Sequence, residues 1–369
     1  MIRVLKKINQ YVPTAAMVFA LLALVGAMLH IGFIISPRFA DIFNFSVSHV
    51  LRRGLALLTG WFHFSLAETI VLSAPVILVT VYVICVKKSM RGKRYFIRCI
   101  AGILSVLLLV YAGFVFVFAP GYRGGTLDGK LGLEIAVGDD AKSNLFTAMF
   151  AVRDRLNALA DEVLYDKDGA SVRPYSHEEA VQLCVDAYGK VEKEYGFFRN
   201  FDSSVKRLVT SDIMTYTHIS GMYTFFTGEA NLNTNYPYFV NVYTTAHEMA
   251  HQRGIARENE ANFMAYLACI SSDDPYLQYS GYLSMYQYLA PHVSSASKTL
   301  YNEAVKGLDE RVKGDLAAYS EFFDKYRDST AAEVSDAVNN TYLVLQGTEG
   351  TESYGLVVDL AGAYHAKKK

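Results

Sequence analysis

The chain changes texture near residue 120. Before that point three runs are almost wholly apolar: Thr14 to Ile35, Leu66 to Val86 and Ile97 to Ala119. Each holds about 21 to 23 residues, and roughly 20 suffice to cross the hydrocarbon of a bilayer at about 1.5 Å rise per residue. One such run could be a buried core helix, but three in close succession predict transmembrane helices. The first lacks a small-residue cleavage site and is too long for the apolar part of a cleaved leader, so it reads as an anchor.

Beyond residue 120 the pattern becomes amphipathic. Leu145, Met149, Val152, Leu156, Leu159 and Val163 recur at intervals of three and four, which gives a helix one apolar face. Ser176 with Glu179 predicts a capping box opening a second helix, which carries Ala180, Leu183, Ala187 and Val191 inward. His177 beside that cap is expected in solvent. From about 205 to 243, β-branched and aromatic residues broken by Gly, Asn and Pro predict the strands. Helical periods return in "SMYQYLA", "LYNEAVKGLDERV" and "AEVSDAVNNTYLVLQG", the last stopped by Gly347. "PGYRGGTLDGKLG" reads as a connector leaving the membrane. The expected organisation is a membrane domain, residues 1–120, and one outer domain, residues 121–369, of mainly α-helical α+β type with a small sheet.

Basic residues orient the spans. Arg3, Lys6 and Lys7 at the start, and Lys87, Lys88, Arg91, Lys93, Arg94 and Arg98 between the second and third runs, predict cytoplasmic ends. Arg38, Arg52 and Arg53 in the first outer loop weaken the contrast without reversing it. The expectation is a multi-pass cell-membrane protein with a cytoplasmic N-terminus and everything after Pro120 outside the cytoplasm. "VSHVLRRGLALLTGWFHF" is expected in the interface, with Trp61, Phe62 and Phe64 at headgroup level, and Glu68 within reach of the headgroups. With 35 basic and 36 acidic residues the net charge is near zero, which removes nucleic acid from the expected partners and leaves the bilayer and a peptide or protein substrate. Cys85 and Cys99 read as small apolar fillers of the spans. Cys184 and Cys269 are open to pairing in an oxidising compartment or to staying separate buried thiols.

The chemistry is concentrated in "TTAHEMAHQRGIARENEANFMAYLAC", residues 244–269. His247 and His251 are four apart, so a helix presents both imidazoles on one face about 6 Å apart, a distance that one zinc ion bridges. Glu248 stands one residue round, placed to move a proton between water and a leaving amine. The uncharged flanks Thr244, Thr245 and Ala246, with Met249 and Ala250 between the ligands, suit a helix buried under a cleft. Gly254 can end that helix in a left-handed turn, and Glu258 or Glu260 at the start of the next helix can fold back as a third ligand.

H-E-x-x-H followed by E-x-x-A-N resembles the glutamate zincins. The resemblance implies a zincin-like fold, a Zn(2+) cofactor, His247, His251 and Glu258 as ligands, Glu248 as catalytic base, and Asn262 orienting a ligand histidine. The chain departs from the pattern in having only six residues between His251 and Glu258. The turn at Gly254 is similar to that of metzincins, but Arg257 occupies their third-histidine position and Arg253 stands where zincins carry an apolar residue. In zincins an edge strand upstream of the metal helix pairs with substrate backbone. Here "GMYTFFTGEANLN" is the candidate, with Glu229, Asn231 and Asn233 as substrate-binding residues or as builders of a turn. Tyr279 and Tyr282 in "QYSGYL" are candidates to steady an oxyanion. His218, His292 and His365 have no partner at ligand spacing and read as structural or surface residues.

The combination of "FTGEANLN", "HEMAHQRGIARENEANFMAYLAC", "YSGYL" and "SYGLVVDL" behind three spans resembles an uncharacterised bacterial membrane-protein family, the domain of unknown function 3810. That resemblance supplies no substrate. The expected function is a membrane-anchored zinc metallopeptidase working outside the cytoplasm. The alternatives are a sensor or binding protein with a non-catalytic zinc site, and a zinc amidase acting on cell-wall material.

Overall fold

The computed structural model describes residues 9–348, 350 and 356–368. The basic residues Arg3, Lys6 and Lys7, and residues 353–355 of "SYGLVVDL", lie outside the described residues. The chain begins with α1 (Thr14–Ile35), turns through α2 (Pro37–Phe43), a π-helical turn (Asn44–Ser48) and α3 (His49–Gly60), then forms a hairpin of α4 (Leu66–Ser89) and α5 (Lys93–Val117). Helices α1, α4 and α5 are long and apolar enough to cross a membrane. Their outward side chains suggest association with one: Ile35 is 76% exposed and Val76 70%, a surface that lipid would cover favourably. Small side chains let α1 and α5 pack closely, with Ala23, Gly26, Ser105 and Ala112 buried between them. Cys85 and Cys99 are not separate fillers. The α4–α5 hairpin brings their Cα atoms to 6.0 Å, and they form a disulfide. Cys184 and Cys269 are buried free thiols.

After α5 come the short helices α6 (Ala119–Arg123) and α7 (Leu127–Leu131), then α8 (Gly138–Leu159), the hairpin β1 (Leu164–Tyr165) and β2 (Ser171–Val172), and α9 (His177–Tyr195). On α8 the predicted stripe is the core face: Met149, Val152, Leu156 and Leu159 are buried, and Leu145 is packed at the edge. The capping box of Ser176 and Glu179 is present at the start of α9. His177, expected in solvent, is buried, with Nε2 2.8 Å from Val205 O. The ring ties the helix start to the neighbouring strand.

The sheet holds β3 (Val205–Arg207), then after α10 (Ser211–Met214) the strands β4 (Gly221–Thr224) and β5 (Glu229–Leu232). β5 is central, parallel to β3 and antiparallel to β4, so β4 is an edge. The strand region stops short of residue 243. From Tyr238 the chain is helix, because Phe239, Val242, Tyr243, Ala246, Met249 and Ala250 recur at helical spacing and are buried together. This is α11 (Tyr238–Gln252), followed by α12 (Glu258–Ser271), α13 (Pro275–Ala296), α14 (Lys298–Lys306), α15 (Glu310–Asp324), α16 (Thr330–Leu345) and α17 (Val357–Lys367). α8, α11, α12, α13 and α17 enclose one core.

The segment between α1 and α4 is built into this second part of the molecule. Arg52 is fully buried. Its Nε donates to Gln252 O (3.0 Å), Nη1 to Val117 O (2.7 Å) and Asn44 Oδ1 (2.9 Å), and Nη2 to Asn44 O (2.8 Å). Asn44 Nδ2 in turn donates to Gly254 O at 2.8 Å. No carboxylate pairs with Arg52 among the described residues. The carbonyl ends of α5 and α11 supply the compensating negative dipoles instead. Burial pulls the guanidinium pKa down to about 10, which leaves it charged at neutral pH. Glu68 does not reach for headgroups: it accepts from Val209 N (3.1 Å) and Thr210 N (2.8 Å) and so fastens α4 to the loop after β3.

Replacing Arg52 by Met leaves the carbonyls of Val117, Asn44 and Gln252 without their buried donor. The expected loss is about 3 kcal/mol or more of stability, seen as a lower Tm of the full chain in detergent. Exposed Arg38→Met should leave Tm unchanged, and equal Tm values for the two variants would contradict the clamp.

Candidate metal centre

Helix α11 ends where Gly254 turns the chain at φ +96°. Ile255 N donates back to Ala250 O (3.1 Å) and Gly254 N to His251 O (3.0 Å). Only glycine fits, for a second reason too: a Cβ there would lie 2.4 Å from Arg52 Nη2 and 2.9 Å from Asn44 Oδ1. This tight turn lets six intervening residues bring Glu258, the first residue of α12, back over the two histidines.

The three candidate ligand atoms converge. His247 Nε2 is 3.1 Å from His251 Nε2, and Glu258 Oε2 is 3.3 Å from the first and 3.6 Å from the second. Donors placed about 2.0 to 2.1 Å from a tetrahedral zinc stand about 3.3 to 3.4 Å apart. The triangle therefore has the size of one face of such a tetrahedron. His251 is oriented from behind, with Nδ1 2.7 Å from Ile255 O. A proton on Nδ1 leaves the Nε2 lone pair pointing into the triangle. Glu260, the alternative ligand, faces elsewhere: its Oε1 accepts from Leu127 N (2.9 Å) and Arg257 Nη1 (2.9 Å). Arg257 holds the carbonyls of Tyr122 and Gly124. Arg253 is buried against the Tyr188 and Phe201 rings and donates to Asn200 Oδ1, Met249 O and Phe201 O, so a cation fills an otherwise apolar position.

The charges of the triangle are coupled. Burial opposes charging of His251, but the facing Glu258 carboxylate outweighs it and carries the pKa up to about 9. Burial likewise opposes the charge on Glu258, yet the two imidazoles hold it well below the usual carboxylate range. Glu248 is 3% exposed, and its Oε2 has no hydrogen-bond partner among the described residues. Burial pushes its pKa up to about 7, into the range of a general base. His247 Nδ1 and Asn262 Nδ2 are both buried without a hydrogen bond among the described residues, and Asn262 touches this layer through its carbonyl, which accepts from Tyr243 OH (2.8 Å). The hydrogen bond expected from Asn262 to a ligand histidine is not formed.

Edge strand β4 crosses directly over Glu248. A Cβ on Gly221 would lie 2.6 Å from Glu248 Oε1 and 2.6 Å from Thr244 Cγ2. The residues expected to bind substrate serve the frame instead. Glu229 is buried on the central strand and caps α4, accepting from Leu66 N (3.0 Å) and Ala67 N (2.9 Å). Asn231 Nδ2 donates to Met222 O, and Asn233 Nδ2 to Ile219 O, which closes the loop onto itself. Tyr279 and Tyr282 do not face the triangle. Tyr279 OH donates to Asp315 Oδ2 at 2.6 Å, and the Tyr282 ring packs on Tyr266 with Arg155 over it. Two other tyrosines feel the Glu258 charge. Burial, and then that carboxylate, raise the Tyr288 phenol, and the same two causes hold Tyr342 at about 12 against a hydrogen bond shared with Tyr122. Among 26 tyrosines no spacing singles these two out. His218 and His365 are structural, bonded to Tyr326 O and Tyr266 OH.

Residues 44–361 match a family described as Protein of unknown function (DUF3810). No curated protein and no solved structure matches the chain.

The full chain should bind about one zinc, and Glu258→Ala should weaken binding far more than Glu260→Ala in a chelator competition. The reverse order would move the third ligand. Zinc must displace the proton that His251 holds below about pH 9, so affinity should fall by up to about tenfold per pH unit as the pH drops below that value. A flat profile between about pH 6 and 8 would contradict this site.

Proposed function

The chain belongs to the DUF3810 family, whose function is unknown, and we propose from its site that it is a membrane-anchored zinc metallopeptidase. The observation that carries the proposal is the ligand triangle of His247, His251 and Glu258 with a buried, unpartnered carboxylate oxygen of Glu248 beside it. Two imidazoles and one carboxylate suit zinc, and three protein donors leave the open position typical of catalytic sites. Zinc held there supplies Lewis acidity, which polarises a carbonyl and acidifies water.

The chain's own groups supply the rest. Glu248 Oε2 takes the proton of the attacking water and delivers it to the leaving amine, and its burial keeps it basic enough to do so. Ile255 O fixes the tautomer of His251. The edge of β4 offers main-chain hydrogen bonds to an extended peptide next to Glu248. A purely structural zinc site has no use for the Glu248 carboxylate, which favours catalysis over the sensor alternative.

The fold also supports placing this domain outside the cytoplasm. Arg94 Nε reaches Gln10 O (3.2 Å) and Arg98 Nη1 reaches Asn9 Oδ1 (3.2 Å), so the basic loop and the start of α1 share one end of the spans. The metal domain joins at the other end, where Glu229 caps α4. The positive-inside rule then puts the metal centre on the far side.

Glu248→Gln should abolish peptide hydrolysis, a loss of about 10² to 10⁴ in rate or more, while zinc content stays the same. Turnover and metal are measured on one sample, and full activity with zinc bound would sink the mechanism. A periplasmic-type reporter fused after residue 125 should be active and one at residue 92 inactive; swapped results would put the domain in the cytoplasm.

A further inference from the structure

We propose that the metal domain is itself seated in the bilayer surface, through α16 and the β4–β5 turn. Its metal centre then opens at headgroup level and takes polypeptide segments that lie at the membrane surface. The substrate clause rests on the peptidase reading; the seating does not.

The first observation is depth. Phe118 directly follows the last residue of α5, and its ring lies 5.9 Å from that of His251. The ligand set therefore stands at the mouth of a span, with no stalk between them. The β4–β5 turn reaches lower still. Phe225 packs on Phe114 at 5.4 Å, and its ring is 3.9 Å from where a Cβ on Gly113 would be. Gly113 precedes Val117 by one helical turn, so this contact is about 6 Å inside the end of the span. The adjacent Phe226 is 45% exposed at that level.

The last turns of helix α16 lie at the same height. Its Tyr342 packs on Phe114 and Tyr122, and its Leu343 is buried with Phe118, Tyr122 and Ala256. The outward stripe of α16 is largely apolar: Val334, Val338 and Leu345 fall on one helical face, interrupted by Thr341, and are 60%, 65% and 72% exposed. On the α4 side, Glu68 holds Val209 N, and Val209 and Ile213 are 84% and 74% exposed. These side chains continue the lipid-facing surface of the spans, and that continuity names the bilayer as their cover. α16 carries Glu333 and Asp336 but no Lys or Arg, so the seating draws on apolar area and needs no anionic lipid.

The test uses the full chain in phosphatidylcholine vesicles. Val338→Cys and Phe226→Cys, each labelled with an environment-sensitive fluorophore, should be quenched by spin-labelled lipid. Leu164→Cys, 62% exposed on the β1–β2 hairpin, serves as the reference and should be quenched far less. The unlabelled background is low because the native cysteines are buried or disulfide-bonded. Quenching at 338 and 226 no stronger than at 164 overturns the seating. For the substrate clause, a peptide library is presented free and on an acyl anchor in the same vesicles, with Glu248→Gln as the blank. The anchored form should be cut at least about tenfold faster through its higher local concentration, and Val338→Asp should remove that gain while sparing the free peptides. Equal rates overturn the substrate clause and leave the peptidase reading standing. Cleavage of neither form overturns both, while the quenching still decides the seating.

Discussion

One buried guanidinium joins the three long apolar helices to the candidate metal centre. Arg52 binds the carbonyl end of α5 through Val117 and the carbonyl end of α11 through Gln252, and its Nη2 sits against Gly254. Two helix C-termini converging on one cation are each stabilised by it, whereas either one buried alone would leave orphan carbonyls. The clamp fixes where α11 stops, hence where the turn at Gly254 lies, and hence how Glu258 meets His247 and His251. The candidate ligand triangle is thus positioned by a residue that touches none of its atoms.

The same economy governs the polar residues of the sheet. A central strand buried on both faces can keep a carboxylate only if something satisfies it. Glu229 meets that condition by accepting two backbone N–H groups at the start of α4. With Glu68 reaching back to Val209 and Thr210, spans and metal domain are laced together at several points. This is why Phe118 can sit on His251, and why the candidate centre lies at the level where the spans end.

What was legible in the sequence was local. Three spans follow from run length and composition, the α8 stripe from its period, the α9 cap from Ser176 and Glu179, and the His247–Glu248–His251 helix from spacing. What was hidden depends on which surfaces meet. Arg52 reads as a loop charge because its partners lie some 65 and 200 positions away. Glu229, Asn231 and Asn233 look like cleft residues because polar side chains near a motif suggest a lining, yet burial turns them into caps and loop ties. Tyr279 and Tyr282 are undone by helix rotation within α13: the face that carries them looks to Asp315 and Tyr266, while Tyr288 and the distant Tyr342 feel Glu258. The Cys85–Cys99 pairing rests on the register of two helices, which no composition reports.

The central claim is that His247, His251 and Glu258 form a three-donor site for zinc. X-ray absorption at the zinc edge of the full-length, metal-loaded protein tests it most directly. The account predicts two imidazole rings and only light N/O donors at about 2.0 to 2.1 Å. A sulfur shell at about 2.3 Å, or a zinc environment unchanged when His247 and His251 are both replaced by Ala, would contradict it.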